Sequence, residues 1–104
     1  MKKFSHIGIP TQVKRSEEVL NADIGLYVTD FAESENHIEW LRFLDDSPMP
    51  DELKNTAHVA YEVDDLEGAL KGQKILIEPF YVNESLKIAF IMEDEAPIEL
   101  MQFL

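Results

Sequence analysis

Phe4-Ser5-His6-Ile7-Gly8-Ile9 near the start of the chain and Thr56-Ala57-His58-Val59-Ala60-Tyr61 in its middle are versions of one another, with histidine on histidine and a small residue two places later in both. A second pair follows the first. Ile38-Glu39-Trp40-Leu41-Arg42-Phe43-Leu44 matches Ile98-Glu99-Leu100-Met101-Gln102-Phe103-Leu104, and between these Ile24 to Asp30 fits Ile88 to Asp94. The chain is therefore read as an internal duplication in which each half begins with a His-bearing segment and ends with a Glu-bearing one. These segments are short, rich in β-branched and aromatic residues and bounded by turn formers, which is the pattern of strands.

Working outward, 104 residues suffice for one domain and its single core. Residues 1–46 and 56–104 are the expected halves, with 47–55, which carries Pro48 and Pro50, as the linker. A helix is expected from Leu66 to about Lys71, opened by Asp64 with Glu67 three residues on and stopped by Gly72. Lys74 to Glu78 then reads as a strand ending before Pro79. In the first half Ser16 is a candidate cap for a helix of about one turn over Glu17 to Leu20.

Composition narrows the function. The net charge of −12 repels phosphate backbones and anionic lipid surfaces, so neither nucleic acid nor membrane is an expected partner. No GxxxxGK[ST], GxGxxG or HExxH pattern occurs, and four glycines are too few to suggest a phosphate-cradling loop. Cysteine is absent, which excludes thiolate metal sites and cysteine nucleophiles. The opening residues lack the pattern of a secretory signal, and a cytoplasmic location is expected.

Alternate residues of a strand face opposite sides of its sheet, so parity assigns the faces. Ile7, Ile9, Ile38, Trp40, Val59, Tyr61, Val63, Ile98 and Leu100 fall on one face, suited to packing beneath helices. His6, His37, Glu39, His58 and Glu99 fall on the other, beside the small Gly8 and Ala60. Taken singly, each histidine reads as a strand residue with a local hydrogen bond and each glutamate as an edge charge. Recurring together at matched positions, His6, Glu39, His58 and Glu99 point to a divalent metal site of two nitrogens and two oxygens, suited to Mn, Fe, Co, Ni or Zn. Ser5 and Gln102 fall on other faces than their ligand neighbours and are expected to be neutral to substitution.

The sequence resembles the vicinal oxygen chelate superfamily, which includes glyoxalase I, methylmalonyl-CoA epimerase, bleomycin-resistance proteins and extradiol dioxygenases. The residues that carry the likeness are Phe4 to Pro10, His58 to Glu67, Ile77 to Phe80, Lys87 to Ile91 and Ala96 to Leu100. The resemblance implies an α+β fold in which two βαβββ modules curl a mixed sheet around a metal-binding cleft, with His6, Glu39, His58 and Glu99 as ligands. It implies a lyase, isomerase or epimerase acting through an enediolate or enolate on a small oxygenated metabolite or its thiol conjugate. Glu99 is then the first choice for moving the proton and Glu39 the alternative, with His37 available to orient a ligand or a water. A non-catalytic binding module of the same fold is the alternative reading. It is favoured by the first half being shorter than the second between its two ligands. The arginines with which relatives hold anionic carriers have no clear match, Arg15, Arg42 and Lys87 being merely available. The family's habit of pairing modules between subunits leads to an expected homodimer.

Overall fold

The computed structural model describes residues 2–104. Eight strands form one mixed sheet: β1 (Lys2–Pro10), β2 (Val19–Asn21), β3 (Leu26–Val28), β4 (Ile38–Phe43), β5 (His58–Val63), β6 (Lys74–Asn83), β7 (Leu86–Glu93) and β8 (Ala96–Phe103). Their order is β2-β3-β4-β1-β5-β8-β7-β6. β1 and β5 pair antiparallel at the centre, each has a parallel neighbour on its outer side, β4 and β8 respectively, and antiparallel pairs continue to both edges. The sheet curls into a half-barrel. Asn21 of β2 and Val82 of β6, from opposite ends of the strand order, line one cavity with central His6, and only a curled sheet brings them there.

Helices are few. α2 (Leu66–Leu70) lies between β5 and β6 and covers the outer face of the second half, where Leu66 and Leu70 pack with Val63, Ala89, Ile91 and Leu100. The cap differs by one residue from the expected one. Asp65, not Asp64, accepts from Gly68 N, while Leu66 N, another donor of the first turn, is taken by Gln102 Oε1 at 2.8 Å. Gln102 thus ties β8 to α2, contrary to its expected neutrality. Gly72 has φ +74, the left-handed conformation that terminates helices.

α1 (Asp51–Asn55) forms inside the segment read as a linker. Two acidic residues in its first turn favour the positive end of the helix dipole, and Leu53 is 2% exposed in the core of the concave face, beside Ala60, Phe90 and Met101.

No helix follows β1. Ser16 Oγ bonds the Glu17 carboxylate rather than a backbone amide, Glu18 reaches Arg42, and Val19–Asn21 pair with Leu26–Val28 as β2. The expected turn of helix over Glu17 to Leu20 is thus replaced by strand pairing of its β-branched and aliphatic residues. The chain before it is fastened by stacking, with the Arg15 guanidinium 4.2 Å from the centre of the Trp40 ring. β6 also exceeds its expected end, running through Pro79 to Asn83. As an edge strand it tolerates a residue without an amide proton, and its pairing with β7 is irregular between Ile77 and Phe80. Among the described residues no helix is long and apolar enough to cross a membrane.

Candidate metal centre

The four central strands each supply one of the four residues: β1 gives His6, β4 Glu39, β5 His58 and β8 Glu99. Register explains how they meet. Gly8 lies between Glu39 and His58 across the sheet, and Ala60 lies between His6 and Glu99. The two rows thus have a small residue at the centre and larger side chains leaning over it. A Cβ at Gly8 would overlap the His58 imidazole, so the ring occupies the room that glycine leaves.

One potential ligand atom from each of the four residues lies within 4.8 Å of all the others. His58 Nε2 is 3.0 Å from Glu99 Oε1, and His6 Nε2 is 3.5 Å from both Glu99 Oε1 and Glu39 Oε1. Glu99 is therefore shared by both imidazoles. The histidine side chains are 2% exposed, Glu99 9% and Glu39 20%, which makes Glu39 the most open member. His6 Nε2 and His58 Nδ1 are buried without a hydrogen-bond partner, an unusual cost for a folded core. An ion bound by His6 Nε2 would supply the first of these with a partner. The buried group of two imidazoles and two carboxylates could hold a divalent ion, and its donor set fits one of borderline softness.

Electrostatics tighten the cluster. Burial disfavours a charged His6, but Glu39 and Glu99 outweigh it and raise its pKa from 6.5 to about 9. Burial likewise disfavours an ionised Glu99, yet His58 and His6 hold its pKa down at about 2. At neutral pH His6 thus carries a proton where an ion would need its lone pair.

Three neighbours of the cluster escaped the sequence reading. Phe31 stacks on His6, with ring centres 4.1 Å apart and planes 16° from parallel, and Phe90 meets His58 edge-on at 5.2 Å. Phe31 stands on a 3-10 turn (Phe31–Glu33) whose cap is Asp30, and the pairing of Asp30 with Glu33 was the available sequence signal. Ser5 Oγ lies 2.9 Å from His6 Nδ1. The register of β1 on β5 shifts between Phe4 and His6, and this irregularity removes Ser5 from the simple alternation that made it look neutral.

His37 is a correction of the opposite kind. It precedes β4 with φ +56, so strand parity does not apply to it, and it is exposed, its ring edge-on to Phe4 at 6.4 Å. Phe4 in turn meets Tyr61, so His37 belongs to that aromatic group and not to the four-residue cluster.

No family model matches the chain, and no curated protein does. Among solved structures it is similar to the hypothetical protein BH1468 from Bacillus halodurans C-125, with a TM-score of 0.74 at 18% sequence identity over 99% of this chain and 95% of that one. That likeness concerns the fold.

Proposed function

We propose that the chain is a divalent-metal lyase, isomerase or epimerase of glyoxalase type, built from two paired modules whose first and last strands carry the ligands. The observation that carries this reading is the buried meeting of His6, Glu39, His58 and Glu99 at the floor of a cavity. His6, His58 and Glu99 would hold the ion firmly and Glu39 more loosely. When bound, such an ion supplies positive charge to two neighbouring substrate oxygens while a proton leaves the adjoining carbon.

The chain's own residues divide the remaining work. Glu99, shared by two imidazoles and strongly acidic, is suited to staying ionised and fixed. Glu39 is more exposed, with one long contact to His6, and its carboxylate is the better placed of the two to take up and return a proton. This reverses the order of preference drawn from sequence. Phe31 and Phe90 screen the imidazoles from water, and Ser5 holds the His6 ring through Nδ1, leaving Nε2 directed at the cluster. The binding-module reading rests on one observation, the missing helix after β1.

The test is hydrogen exchange. Chain loaded with Mn, Co, Ni or Zn is incubated in deuterated water with α-hydroxy ketones and α-hydroxy thioesters, and label at the α carbon is followed by NMR. Metal-dependent exchange that Glu39→Gln abolishes while retaining most bound ion is the expected result. Bound metal with no exchange on any member of these classes would leave the binding module as the better account.

A further inference from the structure

The cavity above the four-residue cluster has a volume of about 160 Å³. That is close to a void that accepts a single benzene ring. Its wall is hydrocarbon, drawn from every part of the sheet: Leu26 and Val28 of β3, Leu41 of β4, Val82 of β6, Ile88 of β7 and Met101 of β8. Beyond the four cluster residues, Asn21 is the one polar side chain in the lining among the described residues, and it is neutral. No lysine or arginine lines the cavity among the described residues.

The three cations singled out in the sequence as available to a charged ligand have other contacts. Arg42 is paired with Glu18 and stacks over Tyr27, Arg15 stacks over Trp40 and bonds Thr11 and the Val13 carbonyl, and Lys87 sits 5.7 Å from the centre of the Tyr81 ring. A net charge of −12 adds a repulsive field for anions around the whole molecule. A carboxylate or phosphate seated along this wall, away from the four-residue cluster, would have no cationic side chain beside it in a low-dielectric setting.

We infer that the ligand of this site is a compact neutral molecule, with two vicinal oxygens at one end and a six-membered ring or branched hydrocarbon of similar size at the other, and not a conjugate of an anionic carrier such as glutathione or coenzyme A. The inference rests on the metal-centre reading for the oxygens and on the cavity wall for the hydrocarbon. It separates this chain from relatives that turn over carrier-bound substrates. Phe31 and Phe90, already packed on the imidazoles, give the ring of such a ligand aromatic neighbours next to the ion.

Zinc is titrated into the chain first, and the zinc-loaded protein is then titrated with catechol and, separately, with S-lactoylglutathione. Both probes carry vicinal oxygens, and only the second carries an anionic tail. Catechol should bind at least about tenfold more tightly. Val82→Lys, at an exposed position of the cavity wall, should narrow that ratio by strengthening S-lactoylglutathione and weakening catechol. S-lactoylglutathione binding wild type as tightly as catechol overturns the inference and leaves the metal centre standing. Absence of zinc uptake in the first titration overturns the metal centre and with it the vicinal oxygens, leaving only the neutral hydrocarbon part of the inference to be tested. Indole added to the metal-free chain should then still raise its melting temperature, and no shift with indole removes the neutral-ring inference as well.

Discussion

The two halves of the sheet each present one histidine and one glutamate to the cluster but support them by different means. In the second half α2 lies on the outer face and closes a continuous apolar core with Leu66 fully buried. In the first half no helix lies there, and the outer face is covered by a strap in which Arg15 stacks on Trp40 and Glu18 holds Arg42 over Tyr27. His6 and Glu39 nevertheless stand opposite His58 and Glu99. Strand register and the small residues Gly8 and Ala60 therefore place the four side chains, and the covering layer contributes stability rather than position.

The largest effect should come from breaking the covered half. Leu66→Ala is expected to lower folding stability by about 2–5 kcal/mol, since the residue is fully buried among Val63, Leu70, Ile91 and Leu100 and its truncation leaves a cavity there, and urea unfolding reads it directly. Bound metal per folded chain should be unchanged. A loss of metal binding in still-folded protein would mean that α2 positions the site after all.

Next in size is Ser5→Ala. It removes the hydroxyl beside His6 Nδ1, and metal affinity should fall by about 10- to 100-fold, with Ser5→Thr restoring most of it. Competition with a chelating dye measures the change. Unaltered affinity would show that packing by Phe31 alone orients His6.

The pH dependence sharpens the same contrast at the ligands. In metal-free protein His6 is raised from 6.5 to about 9, so its contribution to stability is full below pH 6.5 and is lost as pH rises through 9. Glu99 is lowered from 4.5 to about 2, so its contribution is present above pH 4.5 and is lost as pH falls through 2. The cluster's stabilising effect on the metal-free chain should therefore be greatest between pH 4.5 and 6.5. Metal requires the unprotonated His6, so affinity should rise about tenfold per pH unit from 6 to 8, and loading should move the stability maximum upward. Thermal melts across pH with and without ion check both signs.

The smallest effect is expected in the strapped half. Arg15→Ala removes a stacking cation from a partly exposed ring and should cost about 0.5–1 kcal/mol by urea unfolding. A cost as large as that of Leu66→Ala would mean that the strap is an integral part of the core.

The meeting of His6, Glu39, His58 and Glu99 was legible in the sequence because the four residues recur in two halves and each recurrence has a small residue nearby. The strands and their two faces followed from the same repetition and from parity, while the curl of the α+β sheet was implied by the family resemblance. Parity failed where the backbone departs from regular extension, at His37 with its positive φ and at Ser5 beside the irregular register of β1, and neither departure has a local signature in the chain. The choice of Asp65 over Asp64 as cap could not be read either. Two adjacent aspartates are equivalent in sequence, and the alignment of the first turn involves Gln102 on a distant strand. The short helix at Glu17 was overridden by tertiary partners, Arg42 for Glu18 and β3 for Val19 to Asn21.

The central claim is that these four side chains act as one metal-binding unit within a single chain. Calorimetric titration of metal-free protein with Co or Zn, alongside elemental analysis of the dialysed product, tests it most directly. One ion per chain is predicted, with affinity reduced more than about 100-fold in His58→Gln and Glu99→Gln while the circular dichroism of the sheet is retained. No uptake of any divalent ion by the wild type, or undiminished uptake by both variants, would contradict the account.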